Sequence, residues 1–240
     1  MPRTFLLAAW QWLVMLNYEV DPALLEPYIP RGTSLDFWNS RTYISIVGFM
    51  FHDTRVLGMP IPMHRTFPEV NLRFYVHRQT AEGMRRGVVF IREIVPRRAI
   101  AVVANSLYHE TYICRKMRSS ITPPTQNEHG SIEYAWRTHK CWNHVGATFN
   151  GNAELPAPDS QEAFIAEHYW GYTRRRDHAT LEYAVEHPPW RIWPATTWSF
   201  ECDVLQTYGK RFENTFASPP STAFVAEGSD IIVRQGRRCS

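Results

Sequence analysis

Strict alternation of apolar and polar residues marks one segment of the chain above the others. From Phe67 to His77 the sequence reads Phe-Pro-Glu-Val-Asn-Leu-Arg-Phe-Tyr-Val-His. Val70, Leu72, Phe74 and Val76 alternate with Glu69, Asn71, Arg73 and Tyr75. Side chains two apart on a strand share a face. The pattern therefore predicts a strand with one wholly apolar face. Its other face carries a carboxylate, an amide, a guanidinium and a phenol in a row. Solvated strand faces carry arbitrary polar residues, whereas a matched donor and acceptor set suits the lining of a cleft or barrel.

The same reading extends along the chain. Phe5 to Leu16 is apolar and predicts a first buried strand ending near Tyr18. Asp21-Pro22 supplies an N-cap acid and a proline at the first helical position, so a short helix is expected, stopped by Pro30. Leu35 to Trp38 and Tyr43 to Phe51, joined through Asn39-Ser40, read as a β-hairpin. Gly58 to Pro68 is a proline-rich loop leading into the alternating strand. Ala81 to Gly87 is read as a turn and Val88 to Val95 as the returning antiparallel strand. Arg98 to Tyr108 is read as a helix. Strands are expected at Ile113 to Met117, Ser131 to Thr138 and Cys141 to Phe149. Ser160 or Asp159 caps a helix carrying Phe164, Ile165 and Tyr169. Leu181 to Glu186, Thr196 to Cys202, Thr222 to Ala226 and Ile231 to Arg234 complete the strands, the last two joined by a hairpin at Gly228-Ser229.

Strands outnumber helices, and no linker or repeat divides the 240 residues. The expected fold is a single α+β domain over residues 1–240. Its mostly antiparallel sheet curls into a barrel or cone with a few flanking helices. The high aromatic content, 14% with nine Trp, fits a β-rich core.

Charge adds little, since a formal +3 demands neither nucleic acid nor membrane as a partner. The cations are nearly all Arg, with lysine only at Lys116, Lys140 and Lys210. Arg offers a fixed fork to carboxylates, whereas lysine is the residue of imine chemistry. Cys114, Cys141, Cys202 and Cys239 have no paired spacing, which fits a reduced, cytoplasmic setting. His139, Cys141 and His144 lack a fourth ligand, so no metal is called for. No nucleotide fingerprint, P-loop or nucleophile elbow occurs, and no cofactor is expected. The segment after Arg3 is interrupted by Gln11 and lacks a cleavage site, unlike a signal peptide.

Several ordered motifs carry a family resemblance. They are Phe67 to Val76, Leu-Tyr-His-Glu-Thr-Tyr at Leu107 to Tyr112, Glu162 to Thr173, and His-Pro-Pro-Trp at His187 to Trp190. With these the chain resembles the YqjF-like family of bacterial proteins (domain of unknown function 2071). More distantly it is similar to the acetoacetate decarboxylase-like superfamily. The superfamily implies a cone-shaped or barrel sheet around a pocket in which a lysine forms a Schiff base, helped by a glutamate and an arginine. Glu69 matches the glutamate by motif. At the lysine segment this chain has Tyr108 to Ile113, with no lysine before Lys116.

The candidate site follows from these residues. Glu69 and His109 are candidate proton-transfer groups. Asn71, Arg73, Tyr108 and Tyr112 are candidate ligand contacts, with Trp38 and Trp190 as aromatic walls. Lys116 is the candidate nucleophile. The expected partner is a small organic acid, and a homo-oligomer is compatible with the chain. Two functions stand open: a carbon–carbon or carbon–oxygen lyase, or a non-catalytic carrier or sensor of a hydrophobic acid. An imine decarboxylase or aldolase would depend on Lys116.

Overall fold

Long strands with two buried faces organise the chain. The computed structural model describes residues 2–60, 65–97, 111–126, 128–139, 141–175 and 177–239. Sixteen strands are named among the described residues, β1 to β16 in chain order. One curled sheet forms a hydrogen-bonded ring from seven of them. These are β1 (Thr4–Val20), β3 (Thr42–Val56), β5 (Phe67–Thr80), β6 (Gly83–Val95), β11 (Trp170–Arg174), β12 (Thr180–Glu186) and β15 (Thr222–Arg234). The ring shuts where Val185 and Glu186 of β12 meet Val233 and Ile232 of β15. Its neighbours are antiparallel except β6 and β11, which run parallel. Short strands join its edges: β2 (Ser34–Leu35), β4 (Met59–Pro60), β7 (Tyr112–Cys114), β13 (Ile192–Pro194) and β16 (Arg237–Cys239).

A second antiparallel sheet, ordered β14-β10-β9-β8, covers part of the ring's outside. Its strands are β8 (Met117–Thr122), β9 (Gly130–Arg137), β10 (Trp142–Phe149) and β14 (Thr197–Glu201). Two cores result. Val70, Leu72, Phe74 and Val76 of β5 share the outer core with Tyr134, Trp136 and Val145 of the second sheet. Burying each such side chain contributes about 1.5–3 kcal/mol. Phe49, Phe51, Phe67, Tyr183, Val185 and Trp190 belong to the inner core. The polar face of β5 thus points into the ring, because its apolar face is claimed by the second sheet.

Local chemistry explains most element ends. Asp21 caps α1 (Pro22–Leu25) by accepting from the Ala23 amide at 2.8 Å. Ser160, not Asp159, caps α2 (Gln161–Ala166) by accepting from the Ala163 amide at 3.1 Å. A third short helix, α3, spans Val204–Thr207. β1 bulges at Trp12, whose φ is 59°. The Trp12 carbonyl displaced there accepts the Tyr134 hydroxyl at 2.8 Å, which fastens the second sheet to the ring.

The structure differs from the sequence expectations in several places. Asn39 and Ser40, with φ of 49° and 62°, do form a two-residue turn closed by Trp38 and Arg41. The strand before it, however, leaves β3, and Leu35 pairs with Val76 of β5. The turn expected over Ala81 to Gly87 shrinks to its first two residues. Arg85 and Arg86 stay extended because each meets a buried carboxylate, Glu182 and Asp36 respectively. α2 stops at Ala166, so Tyr169 lies outside it and Trp170 opens the unanticipated β11. Gly228-Ser229 is not a hairpin. β15 runs through it, and both halves pair with β1. The helix expected over Arg98 to Tyr108 lies outside the described residues. No helix among the described residues is long and apolar enough to cross a membrane.

Candidate functional site

The inward face of β5 opens on a cavity of about 130 Å³ inside the ring. Phe67, Glu69, Asn71 and Arg73 all line it. Register places Glu69 opposite Phe49 of β3, Asn71 opposite Val47, and Arg73 opposite Ser45. Glu69 and Asn71 are each 2% exposed and Arg73 is 7% exposed. Tyr75, the next residue on this face, does not reach the cavity. Its hydroxyl and the Asn17 side chain both bond Ser45 Oγ at 2.6 Å, which seals the polar layer beyond Arg73.

Glu69 is held as a buried acid. Its carboxyl accepts from Asn71 Nδ2 at 3.1 Å and from the Tyr112 hydroxyl at 3.2 Å. Burial raises its pKa to about 7, against the pull of those two donors and of the Arg73 charge. Both protonation states are therefore populated near neutrality.

Arg73 is the opposite case. A guanidinium does not lose its charge in a protein. Its Nη2 donates to the Met15 thioether at 3.9 Å, its guanidinium carbon lies 5.7 Å from the Tyr75 ring centroid, and its Nε has no hydrogen-bond partner among the described residues. Among the described residues no carboxylate lies at ion-pair distance from it. Its field reaches Glu69, His168 and His187.

Unpartnered polar atoms gather on this lining. Trp10 Nε1, Thr54 Oγ1, Asn71 Oδ1, Arg73 Nε and His168 Nδ1 are all buried without a hydrogen-bond partner among the described residues. All five residues border the cavity. A buried polar group left unmade costs about 1–3 kcal/mol, so such a concentration belongs where a ligand completes it.

His168 and Asp36 escape a reading by motif and spacing. They meet at 3.1 Å between His168 Nε2 and Asp36 Oδ2, and Arg86 Nε donates to the same oxygen at 2.7 Å. Burial alone would raise the Asp36 pKa, but its bonds to His168 and Arg86 hold it below its ordinary value. An ionised carboxylate only accepts, so His168 Nε2 carries the hydrogen. Burial depresses the His168 pKa to about 4, with Asp36 opposing. The neutral ring therefore keeps a bare lone pair on Nδ1. Asp36 gave no sequence signal. His168 lies in the Glu162 to Thr173 segment that carries the family resemblance.

The other sequence candidates distribute as follows. Tyr112 and Trp190 line the cavity, and Trp190 stacks on His187 at 4.1 Å. Trp38 does not. It packs on Tyr43 and donates its indole N–H to the Asp159 carbonyl at 3.1 Å. Lys116 is exposed at the start of the second sheet and does not border the cavity, because β8 pairs outside the ring. Lys210 is exposed as well. Tyr108 and His109 lie outside the described residues. Among the described residues no group of three His, Cys, Asp or Glu side chains is placed to hold a metal ion.

Comparison with known proteins places this strand ring within a family. The chain belongs to the DUF2071 family of uncharacterized conserved proteins, whose profile matches residues 7–230. The uncharacterized protein YqjF of Bacillus subtilis (strain 168) is 27% identical over 192 residues, covering 76% of this chain and 73% of that protein. The fold is that of the acetoacetate decarboxylase-like proteins. The enduracididine biosynthesis enzyme MppR complexed with pyruvate superposes with a TM-score of 0.68 at 14% identity, covering all of this chain and 91% of that one. Acetoacetate decarboxylase from Legionella pneumophila superposes with a TM-score of 0.67 at 11% identity, covering 100% and 88%.

Proposed function

We propose that the cavity binds a small organic acid and that the protein is a lyase-type enzyme acting on the carbon next to the acid's carbonyl. The observation that carries this reading is Arg73, a permanent cation buried in an apolar ring without a carboxylate partner among the described residues. A buried charge is costly until it is paired. A ligand carboxylate supplies that pair through charge-assisted hydrogen bonds. The pyruvate complex of MppR, a fold relative, supports the same ligand class.

Glu69 supplies the chemistry. With a pKa of about 7 it takes a proton from a carbon acid as carboxylate and returns it as acid. Asn71 and Tyr112 hold its two oxygens, which fixes the direction from which it reaches the ligand. No imine step belongs to this proposal, since neither Lys116 nor Lys210 borders the cavity.

Calorimetric titration with pyruvate and other 2-oxo acids tests the binding step. Arg73→Gln is expected to weaken binding by at least about thirtyfold, the loss typical of one member of a buried charged pair. Equal affinity in the variant would remove Arg73 from the site. The proton step is read by NMR in D2O, as exchange of hydrogen for deuterium at the carbon beside the ligand's carbonyl. Exchange that disappears in Glu69→Gln is expected. Binding without any exchange in the wild type would make the protein a carrier of the acid instead of an enzyme. Borohydride should leave the protein's mass unchanged with every acid, and a mass gain would reinstate imine chemistry.

A further inference from the structure

The polar atoms of the cavity lining sort into donors and acceptors. Arg73 Nε and Trp10 Nε1 carry hydrogens, and a ligand carboxylate accepts from such groups. The Thr54 hydroxyl plays either part. Asn71 Oδ1 and His168 Nδ1 differ, because each offers only a lone pair. A carboxylate has no hydrogen to give them. A ligand that is an acid and nothing more leaves both of these buried acceptors unpaired among the described residues.

His168 is the more firmly fixed of the two. Its side chain is 1% exposed and borders the cavity, whereas Asp36 and Arg86 do not. Nε2 is thus turned away from the cavity, toward Asp36 Oδ2. That bond keeps the ring hydrogen on Nε2 and leaves Nδ1 as the acceptor. Burial lowers the His168 pKa to about 4, so the lone pair persists at neutral pH. Tyr75 and Phe164 pack on the ring with centroids 4.7 and 5.2 Å away, which hinders it from exchanging its nitrogens. Arg73 approaches the same Tyr75 ring, so Arg73 and His168 are neighbours on the lining.

Size limits what can join them. A dry cavity of about 150 Å³ accepts one benzene ring. The cavity of about 130 Å³ therefore holds no more than about six non-hydrogen atoms, the size of lactate. In so small an acid, any donor lies within a bond or two of the carboxylate. An ammonium would add a second cation beside Arg73 in a space of low dielectric. A hydroxyl is neutral and carries the one hydrogen that Nδ1 needs.

We propose that His168 Nδ1 accepts a hydrogen bond from a ligand hydroxyl, so that the cavity selects a short hydroxy acid over acids bearing a keto oxygen or no second polar group. The assignment rests on the organic-acid reading above and adds the second group by which the acid is recognised. His168 acts here as a specificity residue.

Calorimetric titration of the whole protein with propionate, pyruvate, alanine, 3-hydroxypropionate and both hands of lactate checks it. The best hydroxy acid is expected to bind at least about tenfold tighter than propionate or pyruvate, the cost of leaving one buried acceptor unpaired. Pyruvate gains nothing at Nδ1, since its keto oxygen sets a lone pair against a lone pair. In His168→Phe the ring shape is kept and Arg86 still bonds Asp36. The hydroxy acid should lose its advantage there while propionate binds as before. In wild-type protein with nitrogen-15 histidine, the Nδ1 resonance of His168 should move when the hydroxy acid binds and stay when propionate binds. Because the wild-type series stands by itself, a variant that fails to fold does not remove the test. Alanine as the tightest ligand would overturn the hydroxyl in favour of an ammonium. Equal affinities along the wild-type series would overturn the role of His168 and leave the organic-acid reading intact. Absence of binding by every acid would overturn both.

Discussion

The Tyr112 hydroxyl lies 3.2 Å from Glu69 Oε2, joining two residues 43 positions apart in the chain. β7 makes this contact by running parallel to β6, with Tyr112 beside Glu93. The hydroxyl and Asn71 Nδ2 each stabilise the charged form of Glu69, while burial disfavours it.

Removing that hydroxyl leaves burial less opposed. Tyr112→Phe should therefore move the Glu69 midpoint upward from about 7. A hydrogen bond to a charged group is worth about 1.5–3 kcal/mol, which corresponds to a move of roughly one to two pH units. A carbon-13 NMR titration of labelled glutamate side chains measures it directly. An unmoved midpoint would mean that the phenol does not bond the carboxylate in solution.

How far the sequence foretold this site depends on whether its parts are local. The alternation from Phe67 to His77 is contained in one strand, and both its faces could be read from side-chain period alone. Glu69, Asn71 and Arg73 on one inward face are the direct consequence. Asp36 and His168 are 132 positions apart and meet because β2 lies along β5 while β11 lies along β6, so no spacing rule reaches them. Turn chemistry misled in one place and guided well in another. Asn39-Ser40 does reverse the chain, but Leu35 joins β5 at Val76, beyond Phe74 where the pairing of β3 with β5 ends. Gly228-Ser229 has turn composition, yet the backbone only bends there. Lys116 was placed by proximity to a motif, and strand β8 carries it to the outside sheet.

The two titrating groups of the cavity lean in opposite directions, and stability should show both. Glu69 is raised from 4.5 to about 7, so its contribution is full below pH 4.5 and is lost as pH climbs through 7. His168 is lowered from 6.5 to about 4, so its contribution is full above pH 6.5 and is lost as pH falls through 4. Over pH 4.5–6.5 the two slopes offset one another, each about 1.4 kcal/mol per pH unit. Relative to wild type, Glu69→Gln should gain stability as pH rises from 4.5 to 7. His168→Asn should gain as pH falls from 6.5 to 4. Urea unfolding at five or six pH values resolves the differences. Parallel curves for either variant would mean that residue does not titrate as its burial dictates.

Gly228 offers a test of the β1–β15 pairing that is independent of any ligand. Its φ is 83°, a value at which an added Cβ is strained. Gly58 has the same φ of 83°, yet a Cβ there would meet nothing within 4 Å among the described residues. At Gly228 a Cβ would fall 1.9 Å from the Trp10 carbonyl oxygen, which is backbone of the adjoining strand and cannot swing aside. The matched pair separates conformation from contact. Gly58→Ala should cost about 1 kcal/mol, the backbone term alone. Gly228→Ala should cost at least about 2 kcal/mol more, because β1 and β15 must part where Gln11 faces it. Equal unfolding free energies for the two variants would show that β15 does not pass Trp10 as closely as this geometry requires.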